Sequence, residues 1–314
     1  MSVTVDSVVA RVRRLIDEEP LEDYLSGACT VTGVQGQLDS SGISVLTPSL
    51  WAVGDIIEFR DSSYEQTKIH PSWNGSTTGV PAIRGHNDTT PTTHATGTTI
   101  YKNPRIAGQD IADAINNTLT LMWPQAWAVS TLTISGTVLQ QGQQIYDLSS
   151  GATGVSGVTG TYTGDLNSVT QDATTTSGAY RLYQYGYPGE TKPVGMKANL
   201  PSTISSSGFG LYLPNVYSTT VPVVVNYCRY LTNADIQDGL MADTIAFGAA
   251  ARVLAMRQIV RSGQDVRQGE PGSVEIFLQD TQYFETLYQN GLRRLYLQLM
   301  ADPRTRKMPR WDGP

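Results

Sequence analysis

Four stretches of the chain place apolar residues at the spacing of an amphipathic helix. One stretch lies near the start of the chain, and the other three lie at 111–122, 236–260 and 274–299. In that first stretch the apolar positions are Val5, Val8, Val9, Val12, Leu15 and Ile16. Residues three and four apart share one face of a helix, so the pattern predicts four helices with a buried face.

Local signals mark the ends of the first two helices. Thr4 or Asp6 can cap the first helix, because a short polar side chain accepts hydrogen bonds from the first turn. Pro20 either ends this helix or begins a short second turn that runs to Leu25. Pro124 follows the second helix, and a proline disfavours helical backbone at the residue before it. Both helices therefore have defined limits in the sequence.

Between the helices, the pattern changes to short apolar runs that are typical of strands. Gly, Pro, Asn and Asp mark the turns between these runs. Within residues 27–102, the spacing of the runs predicts a small barrel or sandwich. Residues 126–231 form a second strand-like region, with the clearer runs at 132–135, 144–148, 181–185 and 221–230.

The order of these segments predicts an α+β fold. We expect a four-helix body that is discontinuous in sequence, an inserted small β-barrel or sandwich, and a second β-rich domain. The predicted parts are 1–26, 103–125 and 232–300 for the helical body, 27–102 for the inserted module, 126–231 for the β-rich domain and 301–314 for a C-terminal arm. Such an insertion requires the two ends of the module to lie close together.

One tract of the second β region is poor in core-forming residues. Residues 149–178 consist mostly of Gly, Ser, Thr, Val and Asn, which cannot build much of a core on their own. The tract is therefore either a long loop or a hairpin that becomes ordered against a neighbouring element.

Composition and charge narrow the functional classes. The 314 residues carry a net charge of −6, which argues against a general nucleic-acid binder held by phosphate contacts. An acidic surface can still face DNA in passing, because repulsion keeps the two apart. Residues 1–20 lack the uninterrupted apolar segment of a signal peptide, and no apolar run of about 18 residues predicts a membrane span.

The two cysteines, Cys29 and Cys228, lie far apart in sequence and belong to no Cys/His cluster. Buried free thiols are the favoured interpretation, with a disulfide between them left open. His86, His94 and Asp88 could contribute to a metal site, but they lack the usual ligand spacing. A loop ordered by polar side chains such as Asn87 is the simpler interpretation, and we expect no bound metal and no cofactor.

Motifs of catalysis are also missing from the sequence. There is no GxSxG elbow, no Walker loop and no GxGxxG turn after a strand. The acidic run at 17–19 is interpreted as the solvated end of a helix. A glycosidase needs two carboxylates that face each other across a cleft, and the β-rich sections contain few Asp and Glu residues. We therefore expect no catalytic residues and no enzymatic activity.

Four tyrosines cluster at 180–187. Tyr183, Tyr185 and Tyr187 would share one face of a strand. These tyrosines could form a platform that binds a sugar or a protein. The simpler interpretation is structural, with the tyrosines packed across a β-sandwich and their hydroxyls at its rim. The alternative function for the chain is therefore glycan binding by a β module. Such a module would belong either to a virion surface, as in a tail or fibre protein, or to a secreted protein.

The chain continues beyond the last helix with a basic segment. Its charged and aromatic positions are Arg304, Arg306, Lys307, Arg310 and Trp311. The segment is either a frayed terminus or an arm that becomes ordered on a neighbouring chain, with Trp311 as anchor and the arginines paired to acidic residues.

A run of short motifs resembles the neck proteins of tailed bacteriophages, which act as head-to-tail adaptors or connectors. The resemblance rests on a strand followed by Arg-Gly-x-x-x-Thr, a His and a Gly, here Arg84, Gly85, Thr89, His94 and Gly97. The strand at 53–59 and the helix at 108–117 are similar to the elements that flank this motif in the family. The closing helices, at 242–257 and 281–294, resemble the Ala-rich and Tyr/Arg-rich pair of these adaptors.

The resemblance implies a structural virion protein at the portal vertex, made in the host cytoplasm. It implies a homo-oligomeric ring, with twelve copies expected, that joins the portal protein to a tail or stopper protein. The ring would form part of the passage for double-stranded DNA during ejection, without specific binding and without a membrane partner. The segment 304–311 would dock into the portal.

A ring of identical subunits repeats one heterologous interface until it closes. A permanent interface of this kind is large and partly apolar. The last helix carries more aromatic residues than one buried face needs, so we expect some of them to lie between subunits. These residues are Phe277, Tyr283, Phe284, Tyr288 and Tyr296.

Overall fold

A computed structural model describes residues 3–18, 20–30, 35–61, 63–75, 79–140, 145–149, 151–158, 162–171, 180–184, 195–197, 200–213, 221–268, 272–302, 304–305 and 307. These residues form an α+β protein of helices and antiparallel sheets, which confirms the predicted fold class. The chain divides into two compact units, Met1–Thr118 with Ile236–Gly291, and Leu119–Asp235 with Leu292–Pro314.

The four predicted helices are present. They are α1 Val5–Leu15, α2 Gly108–Leu121, α3 Leu240–Gln268 and α4 Gly272–Ala301. Thr4 is the N-cap of α1, and its hydroxyl accepts a hydrogen bond from the Ser7 amide. The helix buries Val8, Val9 and Val12, three of the six predicted apolar positions.

The first unit contains a six-stranded antiparallel sheet. Its strands are β1 Leu21–Tyr24, β2 Leu38–Ile43, β3 Ile56–Phe59, β4 Gln66–Ile69, β5 Val80–Ile83 and β6 Thr99–Lys102, in the order β1-β6-β3-β4-β5-β2. The predicted barrel is wrong, because the sheet is not closed by a continuous ladder. The two outer strands approach each other at an isolated bridge between Leu25 and Val45.

The possible helical turn after Pro20 is a strand instead. Leu21 pairs with Lys102 and Tyr24 with Thr99, so β1 forms a complete ladder with β6. The ladder gives these four residues hydrogen bonds to a neighbouring strand. An isolated helical turn would be less stable, because its few hydrogen bonds barely offset the entropic cost of helix nucleation. Since β1 enters the module and β6 leaves it, the two ends of the module are adjacent, as an insertion requires.

One face of the sheet encloses an apolar core. Its buried residues come from the strands and from the turns between them: Leu25, Cys29, Ile43, Val45, Trp51, Ile57, Phe59, Ile69, Trp73, Val80, Ala82 and Ile100. Full burial of a Val, Leu, Ile or Phe side chain stabilises a fold by about 1.5–3 kcal/mol. The module has therefore a core of its own.

Helix α3 is the common neighbour of the other helices in the first unit. It packs along α1, and Arg11 of α1 pairs with Asp243 of α3. A Cβ atom at Gly248 would lie 2.7 Å from Thr118 of α2 and 2.8 Å from Tyr288 of α4. The small residues of α3 thus allow two helices to approach its backbone closely.

The second unit holds two antiparallel sheets. Its strands are β7 Ala128–Ile134, β8 Ile145–Asp147, β9 Val155–Ser156, β10 Tyr162–Gln171, β11 Tyr180–Gln184, β12 Gly195–Lys197, β13 Gly210–Tyr212 and β14 Val223–Arg229. The sheet orders are β11-β10-β14-β7-β9 and β12-β13-β8. A shared apolar core includes Leu132, Tyr146, Val169 and Leu211.

The tract at 149–178 contains β9 and β10. Strand β10 pairs with β14 on one side and with β11 on the other, and it buries Leu166 and Val169. Of the two sequence-based alternatives, the ordered one is confirmed for this part of the tract, because the neighbouring strands supply the hydrogen bonds and the core. Among the described residues, no helix is long and apolar enough to span a membrane.

Candidate functional site

The loop between β5 and β6 carries the Arg-Gly motif. Gly85 follows Arg84 and adopts the left-handed conformation, with φ at 63°. A Cβ atom at this position would lie 2.6 Å from the carbonyl oxygen of Thr89 and 3.1 Å from the ring of Pro91. The chain turns back on itself so tightly here that glycine is required, both for its backbone angles and for space.

Arg84 is completely buried beneath this loop. Its Nε donates to Glu65 Oε1 at 2.6 Å and its Nη2 to Glu65 Oε2 at 2.8 Å, which makes a two-pronged ion pair. Nη2 also donates to the Thr92 carbonyl at 2.6 Å. Nη1 donates to Cys29 Sγ at 3.0 Å and to Asp39 Oδ2 at 3.4 Å. Every N–H group of the guanidinium therefore has an acceptor, which is what a buried charge needs.

Glu65 is the carboxylate at the centre of this network. Besides Arg84, it accepts hydrogen bonds from the amides of Thr92 at 2.8 Å and Gly85 at 3.3 Å. Its Oε2 also lies 2.9 Å from Nε2 of His94. One fully buried side chain thus joins the start, middle and end of the loop.

His94 completes the network from the far end of the loop. Its ring stacks on Phe59 with 3.6 Å between centroids. Nε2 faces Glu65 and Nδ1 faces Asp61, so both ring nitrogens have carboxylate partners. The protonated imidazolium donates to both, whereas a neutral ring can donate to one of them.

The pKa values follow from these contacts. Burial opposes the charge on His94, but the hydrogen bonds to Asp61 and Glu65 outweigh it, and the pKa of His94 is raised. Burial also opposes the charge on both carboxylates. Hydrogen bonds from His94 and Ser63 nevertheless lower the pKa of Asp61, and those from Arg84 and His94 lower that of Glu65. The three groups stabilise one another in their charged forms.

Cys29 is held in the same network as a thiol. Burial raises the pKa of Cys29 more than the nearby Arg84 lowers it, so the reactive thiolate is disfavoured. Both Cys29 and Cys228 are free and buried. The favoured sequence-based interpretation is confirmed, and the alternative of a disulfide between them is wrong.

Thr89 and Asn87 fasten the outer part of the loop to β4. The Thr89 hydroxyl accepts from the Gln66 amide at 2.9 Å and donates to the His86 carbonyl at 2.9 Å. The Asn87 side chain donates to Gln66 Oε1 at 2.7 Å. Polar side chains therefore order this loop, as the sequence analysis expected for its Asn and Thr residues.

A second buried network joins the sheet to the helices that flank it. Arg13 of α1 pairs with Glu58 of β3 at 2.5 Å, and Glu58 also accepts from the Gly108 amide at the start of α2. Arg13 reaches Glu18 at 3.3 Å, and Glu18 accepts from the Ile106 amide. Burial raises the pKa of Glu58 despite the nearby Arg13. The module is thus tied to both helices by charged groups in its interior.

A polar groove of about 820 Å³ runs beside the loop. Its walls are the turn at 87–92 and the segment at 104–110 that leads into α2. Asn87 and Asp88 both have positive φ, at 54° and 61°, and both line the groove. Left-handed backbone at residues other than glycine costs energy, and the hydrogen bonds of the loop offset it.

The residues considered for a metal site do not come together. In the described part of the chain, no group of three or more His, Cys, Asp or Glu side chains is arranged to hold a metal ion. The carboxylate beside His94 is taken up by Arg84 instead. Burial and the nearby Lys68 lower the pKa of His86, which is not part of the network.

The aromatic residues proposed for a subunit interface divide into two groups. Tyr283 and Tyr296 are 60% and 39% exposed. Phe284 and Tyr288 are buried within the chain, where Phe284 stacks near Phe247 and Tyr288 contacts α3, so their assignment to a surface is corrected. The side chain of Phe277 lies outside the described residues.

The segment after α4 is ordered against its own chain as far as it is described. Arg304 is exposed and pairs with Asp302, whereas Lys307 packs against Trp123 and Trp127. The charge of Lys307 therefore has its partners within the same chain. Arg306, Arg310 and Trp311 lie outside the described residues.

The tyrosine platform is described in part. Tyr180 and Tyr183 belong to β11, which is an outer strand of its sheet. Tyr185 and Tyr187 lie outside the described residues, as do the side chains of the other two. The platform stays a prediction.

Sequence reasoning singled out Arg84, Thr89 and His94 but missed Glu65 and Asp61. A signal was available, because a buried arginine requires a carboxylate and the module contains few of them.

Comparisons of the chain with known protein families, with curated proteins and with solved structures find no match.

Proposed function

We propose that this protein is a head-to-tail adaptor of a tailed bacteriophage, which forms a ring between the portal and the tail or stopper protein. The observation that carries the proposal is the way the β module is built into the helices. Strands β1 and β6 pair at its entry and exit, and Arg13 and Glu58 tie its interior to α1 and to the start of α2. These contacts fasten the module at its two ends and in its interior, as a rigid connector would require.

The loop motif supports the same proposal. Arg84, Gly85, Thr89 and His94, the residues that resemble the neck-protein motif, act together to fix one loop at the edge of the module. The polar side chains among them all have hydrogen-bond partners within the module, which supports a structural role. A loop fixed by buried charges suits a rigid contact between virion proteins.

We further propose that the four helices form one body that makes the wall of the ring. The contacts of α3 with α1, α2 and α4 support this arrangement. The exposed Tyr283 of α4 supplies part of an apolar surface that sister copies could cover. The net charge of −6 suits a passage through which DNA slides without adhering.

Loss of the chain from an infecting phage tests the proposal. An adaptor is needed to join two preassembled parts, so its absence should yield DNA-containing heads and free tails that do not join. The measurement is sedimentation of the lysate on a density gradient, with negative-stain microscopy of each fraction. The chain supplied in trans should restore complete particles.

The alternative, a glycan-binding module, gives a different outcome in the same experiment. Particles lacking such a module would have tails attached to their heads but would fail to adsorb to cells. That result would contradict the adaptor proposal.

A further inference from the structure

A lysine is enclosed in a box of aromatic and oxygen groups in the second unit. The ammonium of Lys307 lies 3.6 Å from the ring centre of Trp123 and 4.2 Å from that of Trp127. It donates to the Pro124 carbonyl at 3.0 Å and lies 3.4 Å from Asp165 Oδ2. We call the group formed by Trp123, Pro124, Trp127 and Asp165 the lysine box.

The chemistry of the box is selective for a cation. Indole faces attract positive charge through their quadrupole, and a carboxylate with a carbonyl oxygen supplies two acceptors. Burial lowers the pKa of Lys307, and Asp165 acts in the opposite direction. An uncharged side chain of the same length would lose both the cation–π and the ionic contacts.

The box also recognises the backbone next to the lysine. Trp127 Nε1 donates to the Thr305 carbonyl at 2.6 Å, two residues before Lys307. The same tryptophan thus contacts the ammonium with its face and the main chain with its edge. A fitting ligand therefore places a main-chain carbonyl two residues before a lysine, as Thr305 does before Lys307.

The connection between this ligand and its helix is short. Helix α4 ends at Ala301, and five residues separate it from Lys307. An extended chain of this length reaches about 16 Å. Arg304 within it is 89% exposed at its side chain and pairs with Asp302, which belongs to the same segment. The bonds at Thr305 and Lys307 thus hold the segment in the box.

We propose that the lysine box is a receptor for a lysine side chain and that a second copy of this chain can supply it. A second copy carries the same Thr-x-Lys segment and the same box, so exchange needs no new complementary surface. In a single dilute chain the attached segment has the advantage of high effective concentration. Exchange is favoured where copies are held side by side. The inference stands apart from the adaptor proposal, because box and ligand belong to one chain.

The receptor is tested with a peptide of residues 302–314 and the Lys307→Ala chain, whose box is left without its ammonium. Tryptophan fluorescence reports the titration. We expect saturable binding, at least tenfold weaker for the same peptide with acetylated Lys307 and at least tenfold weaker for the wild-type chain. Equal binding of the acetylated and unmodified peptides would overturn the proposal that the lysine box is a receptor. The absence of any peptide binding to the Lys307→Ala chain would overturn it as well.

Exchange is tested by mixing two variants in sedimentation equilibrium above the dissociation constant of the peptide. The Lys307→Ala chain has an intact lysine box but lacks the lysine that fills it. The Trp123→Ala/Asp165→Asn chain keeps Lys307 but has lost two groups of its box. We expect a mixed dimer, with each variant alone monomeric. The Asp165→Asn single variant replaces the double variant if the latter does not fold. A mixture that stays monomeric shows that the segment binds in cis alone, and it overturns the exchange.

Discussion

At the scale of single residues, the β module depends on buried charges, and in the network of the β5–β6 loop every N–H group of the Arg84 guanidinium has an acceptor. Arg84 and Glu65 are both fully buried, and their ion pair is two-pronged. Such a pair contributes little when compared with apolar residues of the same size, yet removal of one partner leaves an unpaired charge in the core. The network therefore specifies the loop more than it adds stability.

Arg84→Ala should lower the free energy of unfolding by about 3–5 kcal/mol, because Glu65 and Asp39 would lose their shared cation. Urea denaturation followed by tryptophan fluorescence measures the change. Arg60→Ala is the matched control. Its side chain is 35% exposed and 4.0 Å from Glu22, so the loss should stay below about 1 kcal/mol. Similar losses for the two variants would show that the network is not essential.

His94 should make the stability of the module depend on pH. Its pKa is raised in the folded state, so its contribution is complete below the usual histidine pKa and is lost as the pH rises through the folded value. The lowered pKa values of Asp61 and Glu65 have the opposite consequence, a loss of stability at acid pH. Between the two ranges the network is intact.

The free energy of unfolding of the wild-type chain should exceed that of His94→Gln most at about pH 6 and less at about pH 9. Glutamine keeps a hydrogen-bonding side chain but cannot take up the proton. The measurement is a series of urea titrations of both chains across this range. A difference that grows with pH would contradict the protonated form of His94.

At the scale of elements, close packing between helices explains Gly248 of α3 and Gly291 of α4. A Cβ atom at Gly291 would overlap Oγ1 of Thr244, which is itself buried. A Cβ atom at Gly248 would lie 2.7 Å from the Thr118 side chain. Glycine costs about 1 kcal/mol in a helix relative to alanine, so its presence here reflects the approach of a second helix.

Gly291→Ala should therefore destabilise the chain by about 1–3 kcal/mol, although alanine is the better helix former. Thr244→Ala removes Oγ1 and Cγ2, two of the three atoms that the added Cβ would meet, and keeps Cβ, so the double variant should regain most of the loss. A double-mutant cycle by thermal or urea unfolding gives the coupling between the two sites. A stabilised Gly291→Ala single variant would show that the two helices are not this close.

The elements differ in how far the sequence predicts them. Spacing alone predicts α1, because Val8 and Val12 must share a face whatever surrounds them. The same reasoning fails at Leu21 to Tyr24, where the backbone partner is β6, some 75 residues later. A local motif identifies Arg84 and His94, whereas Asp61 and Glu65 lie together in the turn between β3 and β4 and carry no local signature. Pairing across the fold leaves no pattern in one sequence.

At the scale of the whole molecule, assembly is the property that the proposal requires. Tyr283 is exposed, and Phe284 beside it is buried, so the helix presents one aromatic residue outward and packs the other. Of the aromatic residues predicted for the interface, Tyr283 and Tyr296 are exposed among the described side chains, and two such residues are too few to hold a permanent oligomer without further contacts. We therefore expect ring formation to depend on the portal.

The purified chain should be monomeric or weakly associated in sizing with light scattering, and it should form rings when the portal protein of the same phage is added. Tyr283→Arg should weaken ring formation and leave the free energy of unfolding within about 0.5 kcal/mol, since the residue is on the surface. Stable rings of the chain alone would contradict this dependence on the portal.

The most direct test of the adaptor proposal is cryo-electron microscopy of the phage particles that carry this chain, with the portal vertex reconstructed without imposed symmetry. The proposal predicts a ring of copies between portal and tail, with density in each copy for α1 to α4 and for the six-stranded module. Density for the chain at a fibre tip, or a single copy surrounded by solvent, would contradict it.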